Sequence, residues 1–209
     1  HGRVSLISNG ANTDLFKPDG PASPVEGRYV VYVGGLVAWH GIGTMLAALK
    51  EPDWPADLRL VIVGDGIERG KVEQALSDRR LLWLGRQPYD AVPAIVRGAL
   101  ASLCVIESQD GRSDSGVAPL KLFEAMACGV PVIVSDLPFQ SEVVRGADAG
   151  LIVPPAKAPA ITSAVRSLAD NPEGARLMGS NGAAYVVREA SWRHRGKEID
   201  RILRSVVSQ

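Results

Sequence analysis

The sequence lacks several features that would point to particular classes of protein. It holds only two cysteines and three histidines in 209 residues, and neither cysteine belongs to a Cys-x-x-Cys pair. A disulfide framework and a clustered metal site are therefore not expected. Basic and acidic residues balance at 23 each, without the basic excess that nucleic-acid-binding proteins usually carry. We expect no nucleic-acid partner.

Long hydrophobic runs are also lacking. No stretch approaches the length of a transmembrane helix, and the start of the chain shows no signal-peptide pattern. Cys104 and Cys128 lie in apolar contexts, which is typical of buried thiols in a reducing compartment. With 46% apolar and 22% charged residues, the composition is that of an ordinary globular protein. Together these features predict a cytoplasmic location.

Short apolar stretches alternate with longer amphipathic ones. They predict strands at 28–33, 57–63, 81–84, 101–106, 130–134 and 150–153, with a weaker one at 3–7, and helices at 41–50, 68–78, 89–97, 119–127, 139–145, 159–170, 172–188 and 192–207. Such an alternation forms a parallel sheet with helices on both faces. The predicted fold class is α/β, a doubly wound, Rossmann-like parallel sheet of about six strands.

The segment 119–127 has helical composition and is apolar on nearly every side, yet it carries two charges. Pro119 suits the first helical position, and Gly129 a C-terminal cap. Lys121 and Glu124 are three residues apart, so they share one face of the helix. They could pair with each other. They could instead bind a ligand, with phosphates at the helix N-terminus beside Lys121 and hydroxyls at Glu124.

Glycine follows three of the predicted strands. Gly34 and Gly35 follow the first strand, residues 64–66 (Gly-Asp-Gly) the second, and Gly85 the third. Each could simply make a tight turn. Since ligands of such sheets bind beyond the carboxyl ends of the strands, the three sites and the charged helix together favour a nucleotide-type crevice. None is a G-x-G-x-x-G motif, which disfavours NAD.

These motifs resemble the C-terminal, donor-binding half of a GT-B glycosyltransferase of group 1, the retaining class. The matching segments are 8–16 (P-N-G-V-D-x-x-x-F), 32–36 with 39–41 (the glycine loop), 60–66 (V-x-G-x-G), 84–86, 119–131 (P-L-K-x-x-E-x-M-A-x-G-x-P-V), 150–155 and 191–192. The segment 119–131 is the most specific match. The resemblance implies that the predicted sheet is one half of a GT-B fold.

The resemblance also implies roles for particular residues. Glu124 corresponds to the second glutamate of the family's E-x7-E motif, which binds the ribose hydroxyls, and it joins Lys121 as a predicted catalytic residue. The diphosphate would be held by main-chain amides near Gly35 and at the helix start, and the base would meet the backbone of Arg86 or Gln87. The predicted donor-binding residues are Gly34, Gly35, His40, Gly41, Gly64, Arg86, Gln87, Pro119, Leu120, Lys121 and Glu124. Sugar contacts are predicted for Asp114, Gly116 and Val117.

The sequence departs from the family pattern at three places. Gly116 stands where the first glutamate of E-x7-E would fall, and Gly35 and His40 replace an Arg and a Lys that face the diphosphate. Lys121 is the predicted replacement for these cations. His40 could equally have a capping or packing role. No Asp-x-Asp motif is present, so no metal or other cofactor is expected.

The predicted function is the donor-binding half of a retaining enzyme that moves a sugar from a nucleotide-diphosphate sugar to an acceptor. Two alternatives stay open. A nucleotide-sugar epimerase of GT-B fold would share this half, and a degenerate, non-catalytic nucleotide-sugar-binding domain would explain Gly35 and Gly116.

The chain is predicted to hold only one complete domain. Residues 1–27 would form an interdomain crossover, 28–190 the nucleotide-sugar-binding domain, and 191–209 a helix that returns toward a missing N-terminal acceptor domain. His1 stands where a complete protein would begin with Met, so we expect a fragment or a processed product. Such a fragment should be inactive alone, and any peripheral membrane contact would belong to the missing half. The apolar face of the last helix (Trp192, Ile199 and Leu203) should be poorly covered.

Overall fold

The computed structural model of the chain describes residues 4–107 and 116–207, and strands alternate with helices along both ranges. The strands are β1 (Arg28–Val33), β2 (Leu58–Val63), β3 (Leu81–Trp83), β4 (Ala101–Cys104), β5 (Val132–Ser135) and β6 (Gly150–Val153). The helices are α1 (Ile42–Leu49), α2 (Arg69–Ala75), α3 (Val92–Arg97), α4 (Leu120–Ala127), α5 (Gln140–Ala147), α6 (Ala158–Asp170), α7 (Pro172–Tyr185) and α8 (Trp192–Val207). A 3₁₀ turn spans Ala38–His40, and a π turn spans Val186–Ala190.

All six strands pair in parallel, in the order β3-β2-β1-β4-β5-β6. The order reverses between β1 and β4, where Val30 lies opposite Ala101. In open parallel sheets such a reversal opens a crevice beyond the carboxyl ends of the two strands, where ligands bind. The predicted fold class is confirmed, and the topology places a crevice between the loop after β1 and the N-terminus of α4.

Helices cover both faces of the sheet because successive strand side chains point to opposite sides. In β1, Val30 and Tyr32 pack with α1, α2 and α6, whereas Tyr29 and Val31 pack with α3, α4 and α5. These four side chains are all buried. The near-continuous apolar run of β1 is typical of a strand that is buried on both faces.

The predicted strand at 3–7 is wrong for the residues that the structure describes. Residues 4–7 form no strand, and the side chains of Val4 and Leu6 are almost fully exposed. The chain is instead anchored further along, where the amide of Ala11 donates to the carbonyl of Ala190 and the carbonyl of Ala11 accepts from Trp192. This bridge ties the segment before β1 to the start of α8.

Several predicted boundaries also shift. Pro119 has an extended backbone (φ −70°, ψ 138°) and is the N-cap of α4, so it precedes the helix and does not occupy the first helical position. The helix predicted at 172–188 ends at Tyr185 and continues as the π turn. The prediction for Gly129 is right, since it follows the C-cap of α4 with a left-handed φ of +73°.

Trp192, Ile199 and Leu203 on α8 are each about half exposed, as expected from the sequence. Across residues 4–107 and 116–207, every helix is too short or too polar to cross a lipid bilayer.

Candidate functional site

The crevice is walled by the loops that follow β1, β2 and β3, and these loops are joined laterally through their glycines. The amide of Gly34 donates to Val63, and that of Gly64 donates to Gly85. A Cβ atom on Gly64 would lie 1.9 Å from the carbonyl oxygen of Gly34, so backbone packing alone requires glycine there. Among the described residues, no atom lies within 4 Å of the points where Cβ atoms of Gly35 and Gly85 would stand. These two glycines therefore leave their backbone open to the crevice.

Lys121 extends from the first turn of α4 into this loop cluster. Its ammonium nitrogen is buried, has no hydrogen-bond partner among residues 4–107 and 116–207, and lies 4.1 Å from the centre of the Tyr32 ring. The same nitrogen is 2.9 Å from the point where a Cβ of Gly34 would stand. No ion pair links Lys121 to Glu124, so the structure does not realise the pairing that the spacing allows. Its described attractive contact is a cation–π contact with the face of the Tyr32 ring, and a buried cation held only in this way is costly unless an anion joins it.

Burial lowers the pKa of Lys121 to about 8, against smaller opposing effects from Cys104 and Glu124. The amide of Leu122 donates to the carbonyl of Pro119, whereas those of Leu120 and Lys121 have no acceptor inside the helix. These two amides and the ammonium group all belong to the first turn of α4 and together suit a ligand with negative charge.

Glu124 lies one turn further along α4 and is partly buried. Its Oε1 accepts a hydrogen bond of 3.0 Å from the hydroxyl of Tyr89. Burial raises the pKa of Glu124, whereas the Tyr89 hydrogen bond and Lys121 lower it. The second oxygen, Oε2, makes no hydrogen bond with the residues that the structure describes. Glu124 can therefore accept a hydrogen bond from a ligand hydroxyl.

Tyr89 is the site residue that the sequence reasoning missed. Its ring packs on buried Phe16 at 5.3 Å between ring centres, and its side chain is 55% exposed. Burial of the hydroxyl and the neighbouring carboxylate of Glu124 raise the pKa of Tyr89 to about 12. The only signal for Tyr89 in the sequence is its place as an aromatic residue shortly after the predicted strand 81–84.

His40 closes the 3₁₀ turn and folds back on the glycine loop. Its Nδ1 lies 2.7 Å from the carbonyl oxygen of Gly35, which also accepts a 2.7 Å hydrogen bond from the hydroxyl of Tyr32. Burial, and then the charge of Lys121, lower the pKa of His40, against a raising effect of the Gly35 carbonyl. The packing role that the sequence allowed is therefore present. Gly41 follows with φ +64° as a turn glycine.

Gly116 is the first residue after 108–115, which the structure does not describe, and it has a left-handed backbone with φ +95°. A Cβ there would lie 3.3 Å from both the carbonyl oxygen of Pro138 and the Cβ of Phe139. The local backbone thus explains why no carboxylate stands at this place, since any side chain would be strained. Val117 forms an isolated bridge with Phe139. Asp114, the third predicted sugar contact, lies outside the described residues.

The residues predicted to meet the base lie after β3. Gly85 has φ +63°, Arg86 is exposed, and the side-chain amide of Gln87 donates to the carbonyl of Leu84 at 2.6 Å. Gln87 also lines a surface cavity of about 420 Å³ together with Arg59. Leu120, at the first helical position of α4, is 45% exposed. The structure thus gathers Gly34, Gly35, His40 and Lys121 around Tyr32, while the base-contact role of Arg86 and Gln87 stays a prediction.

Comparison with known proteins gives matches over most of the chain. The chain is 29% identical to the GDP-mannose-dependent α-(1-6)-phosphatidylinositol monomannoside mannosyltransferase of Mycolicibacterium smegmatis, over 93% of this chain and 54% of the relative. It spans about half the length of the curated relatives it matches.

Solved structures show the same fold. The structure of HepE from Anabaena in complex with UDP-glucose superposes with a TM-score of 0.79 at 18% identity, over 96% of this chain and 57% of that one. The C-terminal domain of a group 1 family glycosyl transferase from Francisella tularensis superposes with a TM-score of 0.69 at 20% identity, over 88% of this chain and all of that one. Residues 16–185 match the family described as "Glycosyl transferases group 1". This chain belongs to the group 1 glycosyl transferases.

Proposed function

We propose that this chain is the donor-binding half of a retaining glycosyltransferase, and that its crevice binds a nucleotide-diphosphate sugar. The observation that carries the proposal is the buried ammonium group of Lys121 in the first turn of α4, which has no hydrogen-bond partner in the part of the chain that the structure describes and lies beside Gly34 in the glycine loop. A diphosphate would give this cation an anionic partner.

The same arrangement suits the chemistry of transfer. When the sugar leaves, negative charge develops on the diphosphate, and fixed donors aimed at that charge stabilise the transition state. Lys121 and the first-turn amides of α4 are such donors. An anion at this place would also raise the pKa of Lys121 and keep its ammonium charged at neutral pH. Among the described residues, no side chain is placed as a nucleophile, so the donor phosphate itself would accept the proton of the acceptor hydroxyl.

Glu124 is proposed to bind the ribose. Its free Oε2 can accept from one hydroxyl, and Tyr89 fixes Oε1 at 3.0 Å. The names of the relatives carry different bases, GDP in the mannosyltransferase and UDP in the HepE complex. The proposal therefore covers nucleoside-diphosphate sugars as a class. We further propose that no metal ion is needed, because the sequence has no Asp-x-Asp motif and Lys121 supplies a cation.

The acceptor site is proposed to lie on a second, N-terminal domain. This chain spans about half of its curated relatives, and the Francisella structure that it covers completely is named as a C-terminal domain. The half-exposed apolar side chains of α8 would then be covered in the whole protein. A cytoplasmic location stays a prediction.

The test is calorimetric titration of this chain with UDP-glucose, GDP-mannose and ADP-glucose. At least one of them should bind, and Lys121→Met should weaken that binding by tenfold or more while the bare nucleoside binds as before. Lys157→Met, which removes an exposed lysine at the start of α6, serves as the matched control and should change nothing. Equal affinity in the wild type and Lys121→Met would refute the proposed site.

A second candidate function is favoured by Gly116. Because a side chain at its φ of +95° would be strained where the family has its first carboxylate, the chain could belong to a degenerate domain that binds a nucleotide sugar without transferring it. Binding is expected in both cases. Product analysis of the full-length protein with a labelled donor separates them, and also detects epimerisation, since only a transferase yields a labelled acceptor.

A further inference from the structure

We propose that His40 takes up a proton when the diphosphate of a nucleotide sugar binds, so that its imidazolium replaces the lysine that the family pattern has at this place. The inference rests on the proposed function of the crevice. It concerns a residue at which this chain departs from the family, and it makes donor binding depend on pH.

Neutral His40 carries its proton on Nδ1. Nδ1 lies 2.7 Å from the carbonyl oxygen of Gly35, and a carbonyl oxygen can only accept. The hydroxyl of Tyr32 donates its single hydrogen to the same carbonyl at 2.7 Å, so it has none left for Nδ1, which is 3.0 Å away. Nδ1 must therefore carry the hydrogen, and Nε2 has a bare lone pair.

Nε2 of His40 makes no hydrogen bond with the described residues, and the His40 side chain is only partly buried. A bare lone pair repels a phosphate oxygen, whereas an imidazolium donates from both nitrogens. Both phosphates of a nucleotide sugar are esterified and carry no proton near neutral pH. The proton that His40 needs must therefore come from the solvent.

Two described ionisable groups act directly on the His40 ring, Tyr32 from β1 and Lys121 from α4. Cys104, at the end of β4, acts on both of these groups, and the amide of Glu107 donates to the neighbouring residue Trp39. Burial and the charge of Lys121 hold the pKa of His40 below its ordinary value of 6.5, so the free chain keeps His40 neutral at pH 7. A diphosphate adds two negative charges and reverses this balance.

The affinity for the donor should depend on pH. Ligand binding raises the pKa of His40, so protons are taken up between the lower pKa of the free chain and the higher pKa of the complex. Across that interval donor affinity should fall as pH rises, by at most about tenfold per pH unit for one proton. Lys121, whose pKa is about 8 in the free chain, contributes a separate interval above pH 8.

The tautomer is tested without any ligand. Long-range ¹H–¹⁵N spectra of the chain at pH 7.5 should show His40 neutral, with the hydrogen on Nδ1. A hydrogen on Nε2, or a charged ring, would overturn the proposal.

Proton uptake is tested by calorimetry of UDP-glucose, GDP-mannose and ADP-glucose at pH 6.5–7.0, in buffers with different ionisation enthalpies. The wild type should take up several tenths of a proton per bound ligand. His40→Gln should lose this uptake, His40→Lys should bind without pH dependence between pH 6 and 7.5, and the matched control His194→Gln on α8 should behave as the wild type.

The outcomes separate the two proposals. Binding without proton uptake, or uptake that persists in His40→Gln, would overturn the role of His40 and leave the donor site intact. Absence of binding by UDP-glucose, GDP-mannose and ADP-glucose alike would contradict the proposed function itself.

Discussion

At the residue scale, burial of the charged Lys121 side chain destabilises the fold, although the same charge suits the proposed diphosphate site. Burial lowers its pKa to about 8 from the ordinary 10.5. Below pH 8 the group is charged in the folded and the unfolded chain, and the fold bears the full desolvation cost. Above about pH 10.5 it is neutral in both, and the cost disappears. As pH rises from 8 to 10.5, the deprotonation of Lys121 should therefore increase the free energy of unfolding.

We predict that Lys121→Met stabilises the chain at pH 7 by on the order of 1–3 kcal/mol, because it removes a buried charge that has no ion-pair partner among the described residues and that the Tyr32 ring offsets only in part. Urea unfolding at pH 7 and pH 10 measures this, and the advantage of the variant should shrink at the higher pH. Lys157→Met controls for the loss of an exposed lysine. A variant less stable than the wild type at pH 7 would show that the contacts of Lys121 in the folded chain outweigh its desolvation cost.

The Tyr89–Glu124 hydrogen bond gives a second residue-scale prediction. Glu124→Gln should weaken donor binding by about 1.5–3 kcal/mol, as for hydrogen bonds to a charged group. Tyr89→Phe keeps the ring on Phe16 but removes the hydroxyl that lowers the pKa of Glu124. In this variant the acid loss of donor affinity should begin at a higher pH.

Donor titrations between pH 4.5 and 7.5 measure that shift. Tyr185→Phe, at a half-buried tyrosine between α7 and the π turn, is the matched control and should leave the profile unchanged. An identical pH profile in Tyr89→Phe would mean that the hydrogen bond does not tune Glu124.

At the scale of elements, the loop before α4 packs on a strained turn at the start of α5. Phe139 has φ 69° and ψ −61°, and the amide of Gln140 donates to Pro138 across it, which makes a γ-turn with positive φ. Gly116, also with positive φ, packs directly on this turn. Such strain persists only where the surroundings enforce it, and it is common in ligand sites.

We predict that Gly116→Ala lowers the free energy of unfolding by about 1–2 kcal/mol, because alanine is strained at φ +95° and its Cβ would press on Pro138. Gly43→Ala in α1 is the matched control. Its Cβ would meet no atom within 4 Å, and alanine favours helix, so it should stabilise the chain by about 0.5–1 kcal/mol. Thermal unfolding of both variants provides the comparison. Gly116→Ala with wild-type stability would show that the loop relaxes freely.

Local sequence signals were enough to predict the elements but not the contacts between them. Gly129 and the apolar run of 120–127 indicated where α4 ends and that it is buried. The predicted strand at 3–7 failed because weak alternation says nothing about a partner strand. Neither the contact of Lys121 with Tyr32 nor that of Tyr89 with Glu124 could be predicted, since each joins segments far apart in the chain.

At the scale of the whole molecule, the proposed function makes this chain one half of an enzyme. The sheet has its own core on both faces, so the chain should fold and bind a donor by itself. We predict that it transfers no sugar alone, because the acceptor site would lie on the second domain. Assays with several nucleotide sugars and acceptors, beside the full-length protein, check this. Transfer by the chain at a rate near that of the full-length protein would place the acceptor site within these residues.

The most direct test of the central claim is a crystal structure of this chain with the nucleotide sugar that binds best in calorimetry. The account predicts diphosphate oxygens within about 2.7–3.2 Å of the Lys121 ammonium and of the first-turn amides of α4. It also predicts the ribose hydroxyls at Glu124. A diphosphate bound elsewhere, with Lys121 turned away or paired only with Glu124, would contradict it.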